Sequence, residues 1–231
     1  MLSRPSTLHS TTPRVGLNFA RLHFVRPLAL LKRTGDITFS LAMLTLGSPL
    51  LLTIALCVKL TSPGPVFFVQ KRIGRGYRRF GCIKFRTMEL DADRRLQALL
   101  ESCPQMRSEF DKDHKLRNDP RITPIGHFLR TTSLDELPQL FNILRGQMSV
   151  VGPRPIVEQE IPRYGTAMDQ VLSVRPGLTG LWQVSGRNNV SYQRRVLLDL
   201  TYVNRRTLGL DLFILLRTVV VVLFPANKGA Y

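Results

Sequence analysis

Hydrophobic and polar positions change rhythm several times along this chain. Between Asp36 and Lys59 runs ITFSLAMLTLGSPLLLTIALCV, uncharged throughout and about the length that crosses a bilayer as a helix. From Pro65 the pattern VFFVQKRIGRGYRRFGCIKFRTM reads as two strands joined around Gly74-Arg75-Gly76. Helical spacing returns from about Asp91 to Ser102, with Leu96, Leu99 and Leu100 on one side, and a polar linker leads on to Asn118-Asp119-Pro120. Thr123-Pro124 supplies a cap and a first-turn proline for the short helix IGHFLR. Then Leu137, Leu140, Phe141 and Leu144 follow i, i+3, i+4, i+7 spacing, which predicts an amphipathic helix closing at Gly146, with Ser133 as N-cap and Glu136 completing a capping box. Beyond it come two turn-rich clusters, VGPRP and RPGLTGLWQVSGRNN. The final apolar run, LGLDLFILLRTVVVVLF, carries Asp211 and Arg217 too close together for a comfortable crossing and predicts an interfacial or membrane-abutting helix.

The flanks of the first apolar run constrain its path. Arg21, Arg26, Lys32 and Arg33 precede it, while Lys71, Arg72, Arg75, Arg78 and Arg79 follow it, so both ends favour the cytoplasmic side. At Ser48-Pro49 the proline cannot donate to the Thr45 carbonyl, and a bend is expected. A re-entrant helix-break-helix satisfies both observations; a kinked spanning helix satisfies the bend alone. A cleaved signal peptide fits poorly, because the run starts well inside the chain and lacks a small-residue cleavage site before Lys59. Upstream, VGLNFARLHFVRPLALLKR could lie on a lipid surface or form a mobile tail.

Charge narrows the partners. Lysine and arginine number 33 against 16 acidic residues, a net +17, which favours anionic partners: nucleic acid, anionic lipid or phosphorylated substrates. Nucleic acid is disfavoured, since Trp182 and scattered tyrosines and phenylalanines make no stacking row. Cys57, Cys82 and Cys103 show neither a disulfide framework nor zinc spacing. The hairpin glycines match neither a P-loop nor a dinucleotide fingerprint and are read as a turn.

The candidate chemistry lies in SLDELPQL. Ser133 and Glu136 could simply satisfy the amides of a helix start, with Asp135 complementing the dipole. The same position would keep Asp135 ionised as a nucleophile and set Glu136 beside it for a divalent cation. Around this pair the sequence offers cations suited to phosphates: Arg130 one turn upstream, Lys84 and Arg86 in the hairpin, and Arg154, Arg175 and Arg187 in the rigid loops. Adjacent carboxylates cannot flank a glycosidic bond, which argues against a glycosidase. A noncatalytic membrane scaffold remains the other alternative.

KFRTM (84–88), NDPRITPIGHFLRTTSLDELPQLFNILRGQMSVVGPRP (118–155) and RPGLTGLWQVSGRN (175–188), in that order behind a Ser-Pro break, resemble the bacterial monotopic phosphoglycosyl transferases, over about residues 33–224. The likeness is strongest to undecaprenyl-phosphate galactose phosphotransferases that initiate exopolysaccharide synthesis. The resemblance implies an α+β, mainly helical protein: an N-terminal extension (1–32), a re-entrant membrane helix (33–60) broken at Ser48 and Pro49, a catalytic domain (61–224) on the cytoplasmic face of the inner membrane, and a short tail (225–231). It implies transfer of a sugar 1-phosphate from a UDP-sugar to undecaprenyl phosphate. Asp135 matches the nucleophile and Glu136 the Mg2+ partner, with Lys84, Arg130, Arg154 and Arg187 around the phosphates. Asp199 and Asp211 fall on acidic positions of the family and are possible supporting residues. Membrane lipid is an expected partner, nucleic acid is not, and a homodimer is possible.

Overall fold

The computed structural model describes residues 19–113, 116, 119–186 and 190–223. Helix α1 (Phe19–Leu46) and helix α2 (Ser48–Thr61) meet at a bend of 64°. No single described helix is long and apolar enough to cross a membrane, but this bent pair passes the test together. The break has the expected cause and one further device. Proline occupies the first turn of α2 and cannot use the Thr45 carbonyl, and the Ser48 hydroxyl donates to that carbonyl instead, at 2.8 Å. Gly47 is required by space, since a Cβ there would stand 2.5 Å from the Met43 carbonyl oxygen. Leu41, Leu46, Leu50, Leu52, Leu56 and Leu60 remain exposed on the pair, an apolar surface that a water-facing protein would cover.

The hairpin forms as the alternation predicts. Strand β1 (Phe67–Ile73) pairs antiparallel with β2 (Arg79–Phe85), with Gln70 opposite Cys82 and Phe68 opposite Lys84. Helix α3 (Ala92–Ser102) matches the expected helix, but the expected linker holds a further helix, α4 (Pro104–Asp113), opened by a proline at its first position. Helix α5 (Pro124–Thr132) is capped by Thr123, whose side chain accepts from the Gly126 amide at 3.1 Å.

A second small sheet was not anticipated. Strand β3 (Ser149–Val151), which follows helix α6 (Gln139–Leu144), runs parallel to β4 (Gly177–Thr179). The two turn-rich clusters are thereby laid side by side: the Gly177 amide donates to the Pro153 carbonyl at 2.7 Å, and a Cβ at Gly177 would collide with the Gly152 amide nitrogen at 2.1 Å. Short helices α7 (Ile161–Tyr164), α8 (Met168–Val171) and α9 (Leu181–Val184) pack between the loops, before the long α10 (Tyr192–Arg205) and α11 (Leu208–Leu223). The fold is mainly helical with two small sheets.

Two apolar clusters position the site. Ile54 and Val58 of α2 pack with Phe85 of β2 and Leu129 of α5, joining the bent pair to the strand and helix that carry Lys84 and Arg130. Phe80, Cys82, Leu140, Ile143, Val150, Val151, Tyr202 and Ile214 form the centre of the molecule. Helix α11, the helix expected from its sequence, buries Asp211 and Ile214 and exposes Leu212, Phe213, Leu216, Val219 and Val220.

Candidate active site

The SLDELPQL segment does not start a helix in the expected way. Ser133 ends α5 in the left-handed region at φ 60°, and its side chain makes no capping hydrogen bond. Leu134–Glu136 form a single 3-10 turn, and α6 begins only after Pro138. The capping box is therefore absent: Glu136 is drawn away to Lys84, whose Nζ lies 2.5 Å from Glu136 Oε1. The predicted apolar face is also rotated. Leu140 is buried but Phe141 is exposed, and the inward positions are Gln139, Leu140, Asn142 and Ile143. Asn142 explains the rotation, because its amide reads the backbone of β2, accepting from the Ile83 amide at 3.0 Å and donating to the Gly81 carbonyl at 2.7 Å. A strand edge with unpaired backbone groups holds a buried amide more strongly than a phenyl ring, which needs no partner.

That clamp sets Lys84 beside the dyad. Asp135 is 8% exposed, and its carboxyl is pushed up to about 6 by burial, with the Glu136 charge adding to the rise and Lys84 and Arg130 opposing it. The helix dipole expected to favour the anion is outweighed by desolvation, because a lone 3-10 turn supplies little dipole, and at about 6 the group still ionises below neutral pH. Glu136 goes the other way. Burial raises it, but the charge and hydrogen bond of Lys84, backed by Arg154 and Arg72, hold it below the ordinary glutamate value. Two adjacent carboxylates thus have different tasks open to them: one engaged and anionic, the other more basic and less encumbered.

Arg130 reaches the same place from α5, where Nε donates to Thr87 Oγ1 at 2.9 Å and the Asp135 charge partly offsets the cost of burying its guanidinium. Arg154 follows β3 in the Pro-Arg-Pro loop and acts electrostatically on Glu136. Lys84, Arg130, Arg154, Asp135 and Glu136 are therefore brought together. Arg86 and Arg175 each hold backbone carbonyls. Arg86 donates to the Pro63 and Ser62 carbonyls at 2.5 and 2.7 Å, fastening the end of α2, and Arg175 Nε donates to the Gly146 carbonyl at 2.8 Å. Arg187 lies outside the described residues. Asp199 is fully buried behind Arg154, accepting from the Tyr164 hydroxyl at 2.9 Å, and burial pushes it up to about 7. Asp211 sits at the start of α11 beside α1, where Lys32 bridges it to Asp36 at 2.9 and 3.0 Å. Arg72, one of many hairpin cations and not singled out by the sequence, proves to be the buried strut of the Pro-Arg-Pro loop: it donates to the Pro155 carbonyl at 2.8 Å and to Gln70 Oε1 at 2.6 Å.

Residues 28–225 match the family model described as bacterial sugar transferase. The chain belongs to that family. Among relatives of this bacterial sugar transferase, the undecaprenyl-phosphate galactose phosphotransferase of Salmonella typhimurium is 51% identical over 87% of this chain and 42% of its own length. The UDP-galactose-lipid carrier transferase of Erwinia amylovora is 48% identical, again over 87% of this chain and 42% of that protein. The exopolysaccharide production protein ExoY of Rhizobium meliloti is 47% identical over 90% of this chain and 91% of its own. The chain thus spans about two fifths of the first two relatives and nearly the whole of the third.

Proposed function

We propose that this bacterial sugar transferase moves a hexose 1-phosphate from a UDP-sugar to a polyprenyl phosphate, undecaprenyl phosphate foremost, at the cytoplasmic face of the inner membrane, releasing UMP through a covalent phosphosugar on Asp135. The observation that carries the reading is the split dyad: a buried Asp135 with its carboxyl at about 6, beside a Glu136 held anionic by Lys84. At neutral pH roughly nine-tenths of an acid with that value is ionised, and it is a stronger nucleophile than an ordinary carboxylate. Glu136 is the poorer candidate, since Lys84 occupies it.

In the first step an Asp135 carboxylate oxygen bonds to the sugar-bearing phosphorus, and the bond from that phosphorus to the UMP oxygen breaks, its electron pair leaving with UMP. In the second, an oxygen of the polyprenyl phosphate bonds to the same phosphorus and expels the Asp135 carboxylate. Neither attacker needs a base, because each is already an anion. Lys84, Arg130 and Arg154 supply fixed positive charge around the phosphates, in a setting where little reorganisation is needed.

The donor set fits Mg2+. Among the described residues no group of three or more acidic, histidine or cysteine side chains gathers to cage an ion, while one or two carboxylates, with diphosphate and water oxygens, is how Mg2+ commonly binds. Glu136 would hold it, and when bound it would neutralise diphosphate charge.

The bent pair is read as a re-entrant dip, supported by basic residues on both flanks and by the exposed leucines along it. It would bring a lipid-borne phosphate to the level of α5 and β2, against which α2 packs. Purified enzyme with polyprenyl phosphate, offered a panel of UDP-sugars, should release UMP with at least one of them and form a lipid diphosphate sugar. Absence of release from every UDP-sugar in the presence of acceptor would contradict the reading.

A further inference from the structure

Buried side-chain polar atoms without a hydrogen-bond partner are not scattered among the described residues. Apart from Arg86 Nε, Gln183 Oε1 and Asp199 Oδ1, they belong to rings and guanidinium groups in contact with one another: Arg154 Nε, Trp182 Nε1, Tyr192 Oη and Arg195 Nε. Trp182 is 3% exposed and Asp199 fully buried. Native interiors satisfy nearly all such groups, so a concentration of this kind at one place calls for a physical reason.

The geometry supplies one. The guanidinium carbon of Arg195 lies 4.3 Å from the Trp182 ring centroid and that of Arg154 lies 5.5 Å from it, so two cations share one indole. Arg195 also lies 5.2 Å from the Tyr192 ring. The two arginines repel each other, and the carboxylate of Asp199 accepts a hydrogen bond from the Tyr164 hydroxyl. Arg154 in turn acts on the dyad through its charge, which favours the anionic form of Glu136. The stack therefore connects α10 to the reaction centre by way of the Pro-Arg-Pro loop.

We propose that Arg195 is a positioning residue for the sugar donor: held on the Trp182 ring, it sets the Arg154 guanidinium toward the dyad, where an anionic nucleoside diphosphate bound by Arg154 relieves the repulsion between the two arginines. This rests on the UDP-sugar reading of the site. The backbone ties of the loop, through Arg72 and Gly177, fix where Arg154 starts but not where its guanidinium points. An indole face with a second guanidinium on it does fix that, because the flat cation loses little freedom by lying against a ring. Repulsion between the two arginines leaves the pair more favourable with an anion than without one.

Trp182 is the single tryptophan of the chain, so its fluorescence reports on this stack alone. UDP titrated into the full-length enzyme in detergent should change Trp182 emission saturably. Arg195→Met should weaken UDP binding, followed by calorimetry, about tenfold, with Arg195→Lys intermediate because it keeps the charge but not the flat stacking surface. KM for the UDP-sugar should rise in parallel while KM for polyprenyl phosphate stays at the wild-type value. Because Arg195 acts through Arg154, the double variant Arg154→Met with Arg195→Met should bind UDP no more weakly than Arg154→Met alone. Wild-type UDP affinity in a folded Arg195→Met protein, or strictly additive losses in the double variant, would overturn the positioning role while leaving the transferase reading intact. If the wild-type enzyme neither binds UDP nor releases UMP from any UDP-sugar, both fall together.

Discussion

Lys84 Nζ lies 2.5 Å from Glu136 Oε1, joining the second strand of the hairpin to the turn that carries Asp135. The pair divides the labour of the two carboxylates, since it keeps Glu136 charged and engaged while Asp135, one residue earlier, is left more basic. Lys84→Met should therefore do more than remove one cation. With its partner gone, Glu136 takes up protons more readily, and turnover should drop about a hundredfold, the usual cost of losing one preorganised charge at a transition state. Steady-state UMP release at saturating donor measures this. A loss confined to KM would place Lys84 in binding rather than in catalysis.

Asn142 should behave as a structural clamp. Its amide holds the Gly81 carbonyl and the Ile83 amide of β2 and also donates to Gln147 Oε1 at 2.7 Å. Asn142→Ala leaves these buried groups without a partner and should cost about 3 kcal/mol of stability, seen as a lower midpoint of thermal unfolding in detergent. Asn142→Asp should not rescue it, because a carboxylate cannot donate to the Gly81 carbonyl.

Asp199 gives the protein a pH-dependent stability of definite sign. Its carboxyl stands at about 7 in the folded protein against an ordinary value of 3.8, with Tyr164, Arg195 and Arg154 facing it. The folded state binds more protons in that interval, so this group's contribution to stability is greatest at low pH, falls as pH rises from about 4 to about 7, and levels off above. Asp199→Asn removes that slope. Midpoints measured across the interval should decline less steeply with pH in the variant than in wild type; equal slopes would contradict the assignment.

The break between α1 and α2 makes a topological prediction under the re-entrant reading. Single cysteines placed before Asp36 and after Lys59, in a protein whose other cysteines are replaced, should both react with a membrane-impermeant thiol reagent from the cytoplasmic side of inverted vesicles. Replacement of Pro49 by alanine restores the amide that could bond to Thr45 and should shift part of the population toward a straighter, spanning helix. Reaction of the two flanks from opposite sides in the unmodified background would rule out re-entry.

Much of this was legible in local sequence because it is decided locally. The hairpin follows from its alternation, the α5 cap from Thr123-Pro124, and the bend from Ser48-Pro49. What the sequence concealed depends on distant partners. Glu136 has every local reason to cap a helix, but Lys84, far away in sequence, offers it a full charge, which a backbone amide cannot match. Asn142 disguised the inner face of α6, because a polar residue on an apolar rhythm reads as surface until a strand edge is laid against it. Arg86 and Arg175 resemble phosphate ligands in sequence as closely as Lys84 does, and only the fold shows that each of them holds a backbone carbonyl. The Trp182 stack draws on two loops and a helix, and no spacing rule joins them.

The most direct test of the account is a single-turnover measurement without acceptor. Given a UDP-sugar that supports turnover, together with Mg2+ and no polyprenyl phosphate, wild type should release roughly one UMP per active site and keep the sugar phosphate on the protein, mapped to Asp135. Asp135→Asn should do neither while remaining folded, since an amide packs in the same place but is a far poorer nucleophile. Release of UMP only when acceptor is added, with no protein-bound phosphosugar, or near-normal turnover by the Asn variant, would contradict covalent catalysis by Asp135.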